Sequence, residues 1–219
     1  MAIAAPGPLK PPRIRTDYTP EGLDPLMRVL VVFAALVVSV AGVPLAREAE
    51  VIDLHGLARA GTRPVPNAVV WVEAPDAPRP ALAAAPVLDQ RNLEFFPRVL
   101  VVRVGTTVRF PNNDRVFHNV FSFKDGKKFD LGMYPIGAVK LVTFDRPGVS
   151  RLFCNIHPNM AAYVVAVDSS YFTTSDATGR FVLRVPPGRR TWHAWRAGGP
   201  LHTGVIDVNG TTTLTVAWP

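Results

Sequence analysis

Proline and glycine are the residues that most restrict what this chain can fold into. Its 219 residues include 22 prolines and 16 glycines, and a proline inside a helix removes a hydrogen bond and clashes with the preceding turn. Short runs rich in Val, Thr and Phe recur between clusters of Pro, Gly, Asn and Asp, which is typical of strands joined by turns. We therefore predict an all-β fold, and a hydrophobic content of 48% is enough for one large or two small cores.

The N-terminus has a different pattern from the rest of the chain. Arg28 precedes an uncharged run, residues 29–46, which suits a secretory signal peptide or a short membrane anchor. We predict that residues 1–46 form a tail followed by a hydrophobic signal or anchor helix. Whether the run is cleaved, and whether translation starts at Met1 or Met27, stays open. Both interpretations export the remainder of the chain to the periplasm, either free or anchored to the inner membrane through residues 29–46.

The single cysteine, Cys154, limits the kinds of metal site and cross-link that the chain can form. One thiol cannot form an internal disulfide, a four-thiolate zinc or iron–sulfur site, or a haem c attachment. A free thiol in an oxidising compartment is prone to oxidation unless it is buried or bound to a metal. Cys154 is therefore expected either in a core or in a metal site with mixed ligands.

His157 and Met160 follow Cys154 at intervals of three residues and form a candidate metal loop with it. Three ligands from one short loop cover only one side of a metal, so a fourth ligand must come from elsewhere. His118, in "NNDRVFHNV", is the best candidate because it lies in the same strand-rich segment. One thiolate, two imidazoles and one thioether suit copper better than zinc, magnesium or calcium, and His₂Cys with a weak axial Met describes a type 1 copper centre.

Other roles for these residues stay open. Cys154 could be a buried structural cysteine, with the histidines as polar residues at strand ends. A Cys–His nucleophile pair is disfavoured because neighbours on one tight loop seldom orient thiolate and base correctly. Five histidines without a His-x-His motif cannot build the trinuclear centre of a multicopper oxidase, and we expect no enzyme activity.

Met133 is a second candidate for the axial position, and surface or packing roles are expected for His55, His193 and His202.

The middle of the chain resembles a known family. From "FFPRVLVVRVGTTVRFPNNDRVFHNVFSF" to "FDRPGVSRLFCNIHPNMAAYVVAV" it resembles cupredoxins of the plastocyanin and amicyanin type, and its Cys-x-x-His-x-x-Met spacing matches the ligand loop of amicyanin. The resemblance implies a Greek-key β-sandwich that binds one type 1 copper ion through His118, Cys154, His157 and Met160. It also implies that Asn119 hydrogen-bonds across to the cysteine loop and steadies the thiolate.

The ligand loop departs from the family at one position and suggests a route for electrons. Ala162 stands where the family usually has glycine, which makes Met160 the least secure ligand. The resemblance implies that the edge of His157 is exposed through an apolar patch and acts as the electron port. Pro158 and Ala161 would contribute to such a patch.

The segments on either side of this region resemble a second family. "GTRPVPNAVVWVE" and "TTSDATGRFVLRVPPGR" resemble the carboxypeptidase-regulatory-like, transthyretin-like β-sandwich family, in which the two motifs lie close together. Here about a hundred residues separate them. We therefore predict a cupredoxin domain, residues 80–167, inserted into a sandwich built from residues 50–78 and 168–219, since insertion at a loop tip is well tolerated. Two sequential domains are the alternative.

Two functional classes follow from these resemblances. The whole chain is similar to exported bacterial proteins labelled methylamine-utilisation or plastocyanin-like, a label that implies no substrate. The first function is single-electron transfer between periplasmic redox proteins, with donor and acceptor unspecified. The alternative is a non-redox copper-binding or structural module that docks to a partner. The net charge of +7 is scattered along the chain, so we expect no nucleic-acid partner.

Overall fold

The computed structural model describes residues 50–82, 84–123, 125–210 and 212–219. The predicted tail and signal or anchor helix, residues 1–46, lies outside the described residues. Within these ranges the chain forms seventeen strands and no helix, which confirms the all-β class. No helix long and apolar enough to cross a membrane occurs in the part of the chain that the structure describes.

The strands are short and follow one another closely. In chain order they are β1 (Ile52–Ala60), β2 (Arg63–Pro64), β3 (Val69–Val72), β4 (Asp89–Arg91), β5 (Glu94–Phe96), β6 (Val99–Arg103), β7 (Thr106–Pro111), β8 (Phe121–Ser122), β9 (Phe129–Asp130), β10 (Val139–Phe144), β11 (Gly148–Phe153), β12 (Ala161–Val167), β13 (Tyr171–Thr174), β14 (Arg180–Val185), β15 (Gly188–Trp195), β16 (His202–Val208) and β17 (Thr212–Trp218).

Two sheets, called here the outer sheets, combine strands from both ends of the described chain. One has the order β14-β1-β17, with β2 beside β1, and the other has the order β13-β3-β15-β16. Strand β14 alternates strictly between exposed and buried residues, as expected for a strand with one face on a core. The core between the outer sheets includes Leu54, Val70, Leu183, Val216 and Trp218.

Three further sheets come from the segment in between: a small one pairs β4 with β5, and the two larger ones are called here the middle sheets. One has the order β6-β12-β11-β8-β9, and the other pairs β10 with β7. The core between them includes Phe110, Phe144, Leu152 and Val164, together with the predicted ligands Cys154 and Met160. The metal loop therefore ends in a packed core rather than on an open surface.

Strand β12 lies between the two cores, which explains its continuous apolar sequence. Val164 faces the core of the middle sheets, whereas Val165 and Val167 form a separate buried cluster with Val69 of β3 and Val99 of β6. A strand covered on both faces reads as an unbroken hydrophobic run. The outer and middle sheets thus pack against each other through this third cluster.

The middle segment begins and ends at neighbouring points of the structure. The Arg79 guanidinium donates to the Asp168 carboxylate at 2.9 Å, so the chain leaves and re-enters the outer sheets at neighbouring points. Strands β1 and β3 pair with strands that follow residue 168. The boundaries 50–78, 80–167 and 168–219 stay a prediction about units that fold separately, and a deletion test is given in the Discussion.

Candidate metal centre

A short closed loop carries three of the four predicted ligands. Cys154 follows directly after β11, and the loop returns to β12 after Met160. The Met160 N–H donates to the His157 carbonyl at 3.0 Å, and the Cys154 N–H donates to the Met160 carbonyl at 3.3 Å. These two backbone hydrogen bonds hold the loop in one conformation, so the side chains of Cys154 and His157 project from a fixed backbone.

Strand pairing brings the fourth predicted ligand to this loop. Phe121 of β8 pairs with Phe153 at the end of β11, which places the residues just before β8 beside the residue that follows β11. His118 is fixed further by Tyr134, because the two residues exchange backbone hydrogen bonds of 3.2 and 2.9 Å. The His118 side chain is fully buried.

Three donor atoms converge at the centre. The Nδ1 atoms of His118 and His157 lie 3.0 Å apart. The Cys154 Sγ atom lies 3.9 Å from the His118 Nδ1 atom and 3.5 Å from the His157 Nδ1 atom. Among the described residues these three form the group of histidine, cysteine and acidic side chains that could hold a metal ion, with all ligand atoms within 4.8 Å of one another.

These separations fit a single metal ion. With bonds of about 2.0 Å to nitrogen and 2.3 Å to sulfur, trigonal ligation requires roughly 3.5 Å between the nitrogens and 3.7 Å between sulfur and nitrogen. The two observed sulfur–nitrogen distances, 3.9 and 3.5 Å, lie on either side of the required value. The nitrogen–nitrogen distance of 3.0 Å is about 0.5 Å shorter than the trigonal value. A soft set of one thiolate and two imidazoles in this arrangement suits copper.

The two methionine candidates differ in environment. The Met160 side chain is 1% exposed and packs in the same core as Cys154. Met133 is 44% exposed and lies on the surface. Met160 is therefore the better placed for the axial position, and its ligation stays a prediction.

Asp114 is a residue of the centre that the sequence reasoning missed. Its Oδ2 atom accepts a hydrogen bond from the His118 Nε2–H, with 3.1 Å between the heavy atoms. Because Nε2 carries the proton, the Nδ1 atom of His118 presents a lone pair to the centre. Carboxylates that hold a ligating histidine in this way fix its tautomer and raise its basicity. The sequence signal is the spacing Asp-x-x-x-His, which is too common to identify such a pair by itself.

The backbone holds the Asp114 carboxylate in its ionised form. Hydrogen bonds from the Leu93 N–H, from His118 and from the Arg115 N–H lower the pKa of Asp114, against the opposing effect of burial. The Leu93 bond is 2.7 Å long and makes the largest contribution. A negative charge is thus maintained directly behind the imidazole of His118.

The expected hydrogen bond between Asn119 and the cysteine loop is not among those of the described residues. The Asn119 Nδ2 atom donates instead to Asp130 Oδ1 at 2.9 Å. The physical reason is the pairing of β8 with β9, which brings Asp130 opposite Phe121 and close to Asn119. The Gly132 N–H and the Asn119 amide both lower the pKa of Asp130. Asn119 therefore connects its own strand to β9, next to the centre, while its Oδ1 atom has no partner among the described residues.

Exposed apolar side chains lie close to the ligands in the chain. His157 is half-buried, and the exposed side chains that directly precede the two histidines are Phe117, 55% exposed, and Ile156, 50% exposed. Pro158 is exposed and Ala161 is half-buried. The predicted apolar surroundings of His157 thus include Phe117 and Ile156, which the sequence reasoning did not single out.

The remaining histidines lie in the outer sheets. His193 in β15 stacks on Trp71, with ring centroids 5.0 Å apart, and bonds to Glu73. His202 in β16 packs against Trp218, and His55 lies in β1. None of the three belongs to the donor group found among the described residues.

Comparison with known proteins gives structural likenesses only. No protein-family model and no curated protein matches the chain. Among solved structures, it is similar to a copper-containing nitrite reductase from Thermus scotoductus SA-01, with 25% identity and a TM-score of 0.38 over 39% of this chain and 23% of that one. A reduced mutant of amicyanin matches with 28% identity and a TM-score of 0.35, over 38% and 82% of the two chains.

A purple cupredoxin from Nitrosopumilus maritimus matches with 27% identity and a TM-score of 0.35, over 38% of this chain and 100% of that one. The chain therefore spans less than a quarter of the nitrite reductase chain but most or all of the two smaller proteins. It is similar to cupredoxins over part of its length, as the ligand-loop motif predicted.

Proposed function

We propose that this chain is an exported type 1 copper protein that passes single electrons between redox proteins of the periplasm. The observation that carries the proposal is the convergence of the Cys154 thiolate and the two Nδ1 atoms of His118 and His157, 3.0 to 3.9 Å apart. Copper bound by such a donor set supplies one-electron chemistry between Cu(I) and Cu(II). One copper ion would be held by His118, Cys154 and His157, with Met160 as the fourth predicted ligand.

The role of the protein in this function is to keep the donor atoms in place. The loop that carries Cys154 and His157 is closed by its own backbone hydrogen bonds. His118 is held by backbone bonds to Tyr134 on one side and by Asp114 on the other. Ligands that are fixed by the fold change position little when the charge of the centre changes, and such preorganisation favours fast electron exchange.

Partners would approach at the apolar surface around His157. His157 is half-buried, and the exposed side chains of Phe117 and Ile156 directly precede the two histidines in the chain. A small apolar contact suits the brief encounters of electron-transfer proteins, whose interfaces lie at the low end of the size range. The donor and the acceptor would both be redox proteins of the periplasm, and residues 29–46 would deliver or anchor the chain there.

Electron transfer is favoured over catalysis by the composition of the centre. Four protein ligands, with Met160 included, leave no open position for a substrate, which catalytic metal sites retain. The sequence also has no His-x-His motif, which the trinuclear copper centre of a multicopper oxidase would need.

Reconstitution of the protein with Cu(II) tests the proposal. We expect an intense blue absorption from thiolate-to-copper charge transfer, followed by reversible one-electron reduction. Replacing Cys154 by serine should abolish the blue band, whereas replacing His193 by asparagine, which changes a histidine of the outer sheets, should leave it intact. A pale Cu(II) spectrum or binding of Cu(I) alone would contradict electron transfer and favour a non-redox copper-binding module.

A further inference from the structure

Three arginines line a cleft between the outer and the middle sheets. The cleft has a volume of about 440 Å³ and is lined by Arg63, Arg98 and Arg196, with Asn67 and Tyr163 among the other residues. Arg63 belongs to β2, Arg98 directly precedes β6, and Arg196 directly follows β15. The three arginines therefore line the same space from separate parts of the chain.

No carboxylate balances this charge. The cleft is lined by no Asp or Glu residue, and the ion pairs found among the described residues include none of the three arginines. Other arginines of the outer sheets are paired, for example Arg184 with Asp53. Like charges that are gathered in one cleft repel one another and attract an anion.

The side chain of Arg196 has a buried donor atom that lacks a partner in the described part of the chain. Its Nε atom is buried and has no hydrogen-bond partner among the described residues. The guanidinium lies over the ring of Trp218, 5.6 Å from the centroid, and Trp218 is itself only 2% exposed. A buried donor without an acceptor is costly, and an anion held by the Arg196 guanidinium group would offset part of that cost.

The local backbone holds Arg196 in this position. The Gly199 N–H donates to the Arg196 carbonyl at 3.1 Å. A Cβ atom at residue 199 would lie 2.7 Å from both the Cγ and the Nε atom of Arg196, so glycine is needed for the turn to fold over the side chain. Arg98 is positioned from the other side, because its carbonyl accepts a hydrogen bond from the Tyr163 N–H at 2.9 Å.

We propose that this cleft is a binding site for a small oxyanion that carries phosphate or carboxylate groups. Guanidinium groups bind such oxygens through paired N–H donors, and the volume of the cleft lies in the range of small-molecule sites. Arg196 and Arg63 come from the outer sheets and Arg98 from the middle segment. A bound anion would therefore bridge the two pairs of sheets and stabilise their packing.

Calorimetric titration of the full chain tests this site, with inorganic phosphate in one arm and citrate in the other. We expect saturable binding with one site per chain in at least one arm, and the two arms distinguish a phosphate from a polycarboxylate ligand. Replacing Arg98 by alanine should weaken binding by about tenfold or more, the effect of losing a hydrogen bond to a charged group. Arg184→Ala removes the same charge on β14 and should bind as the wild type does.

Further variants keep the test decisive if one of them folds poorly. Arg63→Gln should weaken binding in the same way as Arg98→Ala, and Arg196→Lys should weaken it despite retaining the charge, because lysine lacks the Nε donor. The ligand should also raise the Tm of the wild type more than that of Arg98→Ala. Lack of saturable binding in both arms at millimolar concentration, or an equal loss in Arg184→Ala and Arg98→Ala, would overturn the proposal.

Discussion

Replacing Asp114 by asparagine should change the properties of the copper centre without removing a ligand. Asparagine retains an oxygen that accepts the hydrogen bond from the His118 Nε2–H, but it removes the negative charge behind the imidazole. That charge stabilises Cu(II) more than Cu(I), since Cu(II) carries one more positive charge. We therefore expect the variant to bind Cu(II) more weakly and to have a higher reduction potential than the wild type.

The magnitude follows from distance and charge. The Asp114 oxygen lies 3.1 Å from His118 Nε2, and the imidazole ring and a metal–nitrogen bond add roughly 4 Å, which gives about 7 Å to the metal. At that distance and an effective dielectric constant of about 20, one unit of charge interacts with the carboxylate by roughly 2.4 kcal/mol. Solvent near the 15% exposed carboxylate reduces this value. We expect about a tenfold loss of Cu(II) affinity relative to Cu(I), equal to about 59 mV for one electron.

Voltammetry of the copper-loaded protein measures this shift, and the blue band reports whether the ligands are retained. Asp53→Asn serves as the control, because it removes an exposed carboxylate from β1 while the centre is left intact. The Asp53 variant should keep the wild-type potential. An unchanged potential in Asp114→Asn, with the blue band present, would refute the role given to this carboxylate.

Three other predictions concern stability and folding. Burial raises the pKa of Tyr134 from 10.0 to about 12, so stability should fall as the pH rises above 10, by roughly 2 to 3 kcal/mol once the pH exceeds 12. Urea unfolding of Tyr134→Phe should lack this loss, and equal losses in both proteins would contradict it. Leu152→Ala in the core of the middle sheets should cost about 2–5 kcal/mol in urea unfolding, whereas Leu141→Ala, at a position 61% exposed, should stay within about 0.5 kcal/mol. Equal costs in the two leucine variants would show that the described core is wrong. Replacing residues 80–167 by a short Gly-Ser linker should leave a folded β protein by circular dichroism, because Arg79 and Asp168 are in contact; a disordered product would favour sequential domains.

The parts of the fold that depend on local pattern could be predicted from the sequence. The short runs rich in Val, Thr and Phe between turn residues predict strands, and the described part of the chain forms strands and no helix. The metal loop is local as well, since the spacing of Cys154, His157 and Met160 is a property of seven consecutive residues. Periodicity and spacing are set by backbone geometry, which does not require knowledge of distant contacts.

Hydrogen-bond partners could not be predicted in the same way. Asn119 was expected to bond to the cysteine loop, but the pairing of β8 with β9 places the Asp130 carboxylate within its reach. Asp114 was overlooked although it lies four residues before His118. The hydrogen-bond partner of a side chain depends on which donors and acceptors the neighbouring strands place beside it. The register of those strands is a property of the tertiary structure, so the partner cannot be predicted from local sequence.

The sequence by itself determined the all-β class, the donor types and the loop that joins Cys154 to His157. The tertiary structure decided the rest: it brought His118 to a thiolate 36 residues away, placed a carboxylate behind that histidine, and collected three arginines from separate strands into one cleft. The physical reason is that residue type and spacing follow from covalent order, whereas the distance between two side chains depends on which strands pair and on which face each residue lies.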